Sequence, residues 1–419
     1  MICNFSVKNF KAFADEVKID FFANKNIKRF DYNYLNLKEK DLLKTIGFYG
    51  PNNTGKTCIL FALVSLRNLM INENHGSFHN VFADLGTVTS YRVEYFINDS
   101  FYVYKVDFDN ATKEYLYESL SLKYYDGNSS KFEKIFERSV NKMTWNGITN
   151  SLKNANLIKV FSLTLPFMVL FNDVGNEVMM KAKKDYIDFA SSISYLKMDG
   201  PVDITKTISL IQNDQKARNF IKEFVKNCDL HIDDFGFDEE VVSDADINDK
   251  LSQINSNPAF VKESLKFFSK HNGYRVPSIF FDSVGTLKLV ALSGYIYEAL
   301  KKGKTLIIDE IDSSLHHILT KSIVAMFNNM LNKEAQLVFT THDALLLDLK
   351  NMFRKDQIYL VDIKNSYSSK ITRLSEFTSR DSNGIRGDEN IIEYYLKGQF
   401  GSIPTPDLFS SLEEVTSNE

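Results

Sequence analysis

Residues 47–60 read GFYGPNNTGKTCIL, and this stretch sets the class of fold. From Gly50 to Thr57 it fills every fixed position of G-x-x-x-x-G-K-[ST]. Glycines let the backbone curl until its N–H groups converge on phosphate oxygens. A helix starting there turns the positive end of its dipole toward the same anion. Upstream, residues 43–49 form an apolar run of strand length. Downstream, Ile59, Leu60, Leu63, Leu66 and Met70 recur at helical spacing. The stretch therefore predicts strand, loop and helix, with Gly50, Pro51, Asn52, Asn53, Thr54, Gly55, Lys56, Thr57 and Cys58 around a nucleotide. Lys56 is expected on the β and γ phosphates of ATP, and Thr57 on Mg²⁺.

A nucleotide loop needs a carboxylate at the end of a second buried strand. Residues 304–317, KTLIIDEIDSSLHH, supply Asp309 for Mg²⁺ and Glu310 as the general base for an attacking water. Residues 336–348, QLVFTTHDALLLD, add a third strand that ends near His342, a residue type able to sense the γ-phosphate.

The rest of the chain surrounds these motifs. Strands are expected at 2–7 and 17–22, and an antiparallel meander over 90–125. Helical patterns dominate from about 150 to 230, and residues 260–282 read as a helix-to-strand or hairpin segment ending in a strand at IFFD. A helix (286–301), a strand (304–309), a helix (314–331), a strand (336–340), a further helix and a strand (357–361) come next. This alternation indicates a parallel sheet covered by helices. The α/β core is split: it begins in residues 1–75 with the phosphate loop and resumes in 276–419. Between them lie an antiparallel β-subdomain (76–150) and an inserted, mainly helical region (151–275).

The order of motifs resembles the ABC-type ATPases of the SMC and RecF branch: Walker A, a long insertion, a signature, Walker B ending in Asp-Glu, then a switch histidine. The opening FSVKNFKAF resembles the first strand of that branch. The resemblance implies an ABC-ATPase head that hydrolyses ATP with Mg²⁺ as a homodimer or higher homo-oligomer, each site completed by a signature serine from the other subunit. Two segments compete for that signature, Ser283-Val284-Gly285-Thr286 and Leu292-Ser293-Gly294. A helix starting at Ser283 runs about four turns before the Asp309 strand, against about two from Ser293. Ser283 also follows an apolar run, where a capping serine belongs. Ser283, Gly285 and Thr286 are therefore assigned to the signature, and Ser293-Gly294 to helix packing. The D-loop falls at 313–317, with Asp312 before it and His316 or His317 in place of the usual aspartate.

DSVGT further resembles the signature variant of bacterial abortive-infection and RloA-type ATPases, as do FRKDQIYLVD, ITRLSEF and YYLKGQFGSIP. That resemblance implies an anti-phage sensor or scaffold in the cytoplasm, controlling a separate effector such as a nuclease or toxin. The alternative is a DNA-binding ATPase of repair or maintenance. The segment after His342 lacks an Asp-x-Asp pair and is too short for a fused nuclease domain.

Composition fits this picture. A net charge of -4 and a pI near 6.1 exclude a polycation, while leaving room for a local DNA groove. Cys3, Cys58 and Cys228 show no CxxC spacing, which argues against disulfides or zinc. The N-terminus lacks a signal-peptide pattern and no apolar run approaches a membrane span, so no membrane partner is expected. DADINDKLSQIN (244–255) departs from a calcium loop at Asp249 and Asn255. The lysines at 25–44 and 181–184 read as solvated faces, and His75, His79, His231 and His271 have no metal spacing.

Overall fold

The computed structural model describes residues 1–37, 40–73, 76, 78–126, 129–140, 142–145, 163–171, 177–200, 203–228, 232–237, 267–366, 368–377 and 391–400. The stretch 244–255, His75 and His231 lie outside the described residues.

In chain order the first half carries β1 (Ile2–Lys8), β2 (Val17–Asp20), β3 (Tyr34–Asn36), β4 (Asp41–Leu43), β5 (Thr45–Tyr49) and α1 (Lys56–Ile71). The meander comes next as β6 (Val88–Ile97), β7 (Ser100–Asp109), β8 (Glu114–Asp126), β9 (Ser129–Ser139) and β10 (Lys142–Trp145). Beyond it lie α2 (Phe167–Leu170), α3 (Glu177–Ser191), β11 (Ile193–Lys197), α4 (Thr205–Asn213), α5 (Gln215–Asn227) and β12 (Asp234–Phe237). The last part holds β13 (Phe267–His271), β14 (Tyr274–Pro277), α6 (Ser278–Phe281), α7 (Val284–Lys302), β15 (Thr305–Asp309) and α8 (His317–Asn328). It closes with β16 (Gln336–Thr340), β17 (Ile358–Asn365), β18 (Ser368–Arg373) and α9 (Ile391–Leu396).

Among the described residues, two large sheets organise the chain. One has the order β11-β15-β16-β5-β17-β18, parallel except for β18. Every residue of β5, β15 and β16 is buried, as expected where both faces of a parallel sheet are covered. The other sheet is antiparallel, with the order β10-β9-β8-β7-β6-β1-β2. Its hairpins need only short turns, so consecutive strands pair side by side. Helix α1 buries Ile59, Leu60, Leu63, Leu66 and Met70 between the two sheets' cores. This is the α/β class with a split P-loop sheet and an antiparallel subdomain.

Three local readings are corrected. Residues 193–197, within the stretch expected to be helical, form β11, the edge strand beside β15. Their alternation is too short to stand out, and only the parallel register with β15 makes them a strand. The segment before Ser283 is the short helix α6 and not a strand, because β13 and β14 already close a hairpin. After His342 the chain makes a single 3-10 turn at Ala344–Leu346 in place of a full helix. Lys44 also departs from the solvated reading: it is buried, donating to Tyr32 O at 2.8 Å and Asn329 O at 2.8 Å.

The two sheets are joined by buried amides. Gln336, at the start of β16, accepts from Ile2 N at 2.7 Å and donates to Ile2 O at 3.0 Å and Leu43 O at 3.1 Å. Substituting Gln336 with Ala strips partners from buried backbone groups of β1 and β4. A loss of at least about 2 kcal/mol is expected in urea denaturation. An unchanged midpoint would show that water or a shifted side chain replaces the clamp.

Candidate functional site

The loop between β5 and α1 is shaped by two glycines. Gly50 has φ 153°, and a Cβ there would stand 2.2 Å from Val361 O on the neighbouring strand β17. Gly55 has φ 105° and packs against Ala12 in the turn after β1. Neither position accepts a side chain without strain. Lys56 folds back over the loop, donating to Gly50 O at 2.8 Å and Pro51 O at 2.7 Å. Burial lowers its pKa to about 8, against the pull of Glu310, Asp309 and Asp312. Thr54 donates to Pro51 O at 2.9 Å, and Asn53 takes a left-handed turn at φ 61°. Cys58, on the first turn of α1, is half-buried, and burial raises its thiol pKa.

Asp309 lies where the parallel register of β15 and β16 carries it, at the strand end facing the loop. Its Oδ1 accepts from Thr57 Oγ1 at 3.0 Å and Thr340 Oγ1 at 2.6 Å. Thr340 in turn accepts from the Glu310 N–H at 2.8 Å. The other oxygen of Asp309, Oδ2, is buried with no partner among the described residues. An orphaned, buried carboxylate oxygen beside a threonine hydroxyl suits a hard divalent cation with oxygen ligands, so Thr57 and Asp309 fit Mg²⁺.

Glu310 holds a left-handed backbone at φ 54°, uncommon for a residue with a side chain. Its pKa is raised, first by burial and then by Asp199, Asp309 and Asp312. Nε2 of His342 stands 3.9 Å from Glu310 Oε1. Burial and the Lys56 charge push the His342 pKa down, which favours the neutral ring. The His342 N–H lies 3.3 Å from both oxygens of Asp312. The structure thus gathers Lys56, Thr57, Asp309, Glu310 and His342 around one loop.

Ser283, Gly285 and Thr286 form a second group, at the start of α7. Ser283 caps the helix, accepting from Thr286 N at 3.1 Å. Gly285 lies so close to Ser314 that a Cβ would meet its carbonyl oxygen at 2.6 Å. Ser293 turns back to Val290 O at 2.6 Å, and a Cβ on Gly294 would collide with Thr207 at 2.3 Å. This second pair is a packing contact between α7 and α4. Of the histidines after Asp312, His316 caps α8 through Nδ1, and the His317 ring lies tilted beside it at 4.4 Å between centroids.

Sequence reasoning missed three charged residues here. Lys288, buried on α7, donates to Ser314 Oγ at 3.0 Å and Ser313 Oγ at 3.3 Å, tying the helix to the loop after Glu310. Lys197, the last residue of β11, pairs with Asp199 at 2.9 Å, and the strand's register sets it beside Asp309. No motif marks them; β11 alone could have pointed there.

The fold and site define a P-loop nucleotide-binding domain of the AAA/ABC class. The chain matches, over residues 46–348, the family described as "AAA domain, putative AbiEii toxin, Type IV TA system". That span is more than half of the 419 residues, and the chain belongs to this family. No curated protein matches it. Among solved structures it is similar to the SMC head domain from Thermotoga maritima: 12% identity and TM-score 0.40, over 89% of this chain and 98% of that one. An SmcHead bound to the C-winged helix domain of ScpA shares 14% identity at TM-score 0.45, over 88% of this chain and 97% of that one. An Smc head with an extended coiled coil, bound to a ScpA C-terminal domain derived from Pyrococcus furiosus, shares 12% identity at TM-score 0.41, over 90% and 97%. Among the described residues no helix is long and apolar enough to cross a membrane.

Among the described residues Lys288 hydrogen-bonds to hydroxyls and makes no direct ion pair, and a buried ammonium so placed contributes little net stability. Lys288→Met is therefore expected to unfold in urea at the wild-type midpoint or above it. A drop of more than about 2 kcal/mol would assign Lys288 to the scaffold.

Proposed function

We propose that this chain binds and hydrolyses ATP as the sensor or scaffold of an anti-phage, abortive-infection system. In this reading it controls a separate effector such as a nuclease or toxin. The observation that carries the ATPase part is the orphaned Asp309 oxygen facing Thr57, with Glu310 and His342 beside the same loop. The defence part rests on the family, whose description names a toxin–antitoxin system, and on the closing motifs.

In this reading the loop amides and Lys56 bind the phosphates, Lys56 exchanging the carbonyls of Gly50 and Pro51 for phosphate oxygens. Thr57 and Asp309 would hold Mg²⁺, which when bound would supply positive charge against the phosphates. Glu310, whose backbone N–H is held by Thr340, takes the proton of the attacking water in this reading. His342, kept neutral, can accept or donate a hydrogen bond beside Glu310. Ser283, Gly285 and Thr286 face the nucleotide of a second subunit, so that binding closes a homodimer and hydrolysis opens it. Residues 1–75 and 276–419 carry the engine in this reading, with β11 joining its sheet beside β15. The work is done in the cytoplasm.

Glu310→Gln is expected to keep ATP binding and to lose at least about a hundredfold in hydrolysis rate. Wild-type turnover in that variant would remove Glu310 from the role of base. Lys56→Ala should lose nucleotide binding itself, measured with a fluorescent ATP analogue. For the partner, the tagged chain expressed with its genomic neighbours should retain a nuclease or toxin in fixed stoichiometry. A bare dimer carrying DNA in a salt-sensitive complex would favour repair or maintenance instead.

A further inference from the structure

A polar cleft of about 450 Å³ runs along the later half of α1, where it meets the start of β11, α4 and α7. Ile193 of β11 pairs with Thr305 of β15, and Lys197 with Asp309, so the cleft lies at the end of the strands opposite the one holding the loop. The cleft therefore lies apart from the nucleotide site. Its walls carry Arg67, Lys206, Lys304 and a single acid, Glu298.

The charges do not balance. Glu298 Oε1 accepts from Lys302 at 2.8 Å and Lys304 at 3.1 Å, while Lys206 pairs with Oε2. Burial works against the carboxylate, yet these lysines hold its pKa at about 2. Three ammonium groups thus share the Glu298 carboxylate, and the next acid, Glu334, lies beside Gly303 between Lys302 and Lys304, so positive charge remains in excess. Lys206 and Lys304 are not solvated surface groups, with side chains 29% and 20% exposed. Lys206 is further fixed over the Tyr295 ring at 4.4 Å. Across the cleft Arg67 is engaged with Asn68 and Glu73 through one guanidinium nitrogen, while its Nε is buried without a partner among the described residues. Excess charge held half out of water in a cleft is costly unless an anion shares it.

We propose that this cleft is a binding site for a small multivalent phosphate anion, held by Lys206, Lys304 and Arg67, with Glu298 as the internal group it competes against. Its position gives such an anion leverage. Arg67 is on the helix that starts at the phosphate loop, Lys304 leads into the strand that carries Asp309, and Glu298 is on the helix capped by Ser283. The site stands independently of the nucleotide reading.

Pyrophosphate is the probe, titrated by calorimetry into the full chain carrying Lys56→Ala, which removes the phosphate loop as a competing site. One binding event is expected. Adding Lys206→Ala with Lys304→Ala should weaken it at least about tenfold at an unchanged melting temperature. Adding Glu298→Gln instead should tighten it, because the internal competitor loses its charge. The proposal is overturned if the Lys56→Ala protein shows no binding. Affinity indifferent to the lysine pair, or weakened by Glu298→Gln in a folded protein, overturns it as well.

Discussion

One strand of this molecule must find its partners far away in the chain, and the site exists only when it does. β5, which delivers the phosphate loop, lies between β16 and β17, strands that begin 291 and 313 residues after it. Loop-closure entropy grows only logarithmically with separation, so the long excursion between them is tolerable if the closing contacts are strong. They are supplied by buried amides and a guanidinium, not by apolar packing alone. Gln357 donates to Thr45 Oγ1 at 2.6 Å, and Arg354 donates to the carbonyls of Asn24, Ile27 and Arg29 while pairing with Asp356 at 2.8 Å. Such groups are specific in register: a slipped strand would leave them buried and unsatisfied.

Once β5 is seated between β16 and β17, with β15 beyond, the chemistry comes from parallel geometry. In a parallel sheet all strands end on the same side, and the crevice beyond those ends gathers the first residues after each strand. Gly50 comes directly after β5, Glu310 directly after β15, and His342 within two residues of the end of β16. Thr340 and Asp309 then lock against each other at 2.6 Å. The left-handed Glu310 turns its side chain from the strand toward His342, a local strain held by the Thr340 bond. Burial first, and then the acidic groups that crowd there, raise the pKa of Glu310.

Much of this was legible in the sequence, but unevenly. The phosphate loop is local: glycine, lysine and threonine spacing encodes it without reference to the rest of the fold. Buried strands such as 305–309 and 336–340 were legible because unbroken apolar runs bounded by polar residues have few other readings. The meander was legible by alternation. β11 was not, because five residues at a sheet edge, two of them only partly buried, carry little periodic signal. The helix before Ser283 misled for a related reason: IFF is apolar enough for a strand, and only the hairpin ahead of it uses up the available pairing.

Residue order alone thus identifies the groups expected on phosphate, metal and water, since each belongs to a short motif with its own spacing. It also favours Ser283 over Ser293 through helix length, while Gly294 packs on Thr207. How those motifs are connected is settled only in three dimensions. Lys288 and Lys197 acquire their surroundings from strand register and helix docking, and the lysine-rich cleft beside Glu298 draws on α1, α4 and α7 together. Charge is felt through space and not along the chain, so residues far apart in sequence share one electrostatic site only after the fold has brought them there.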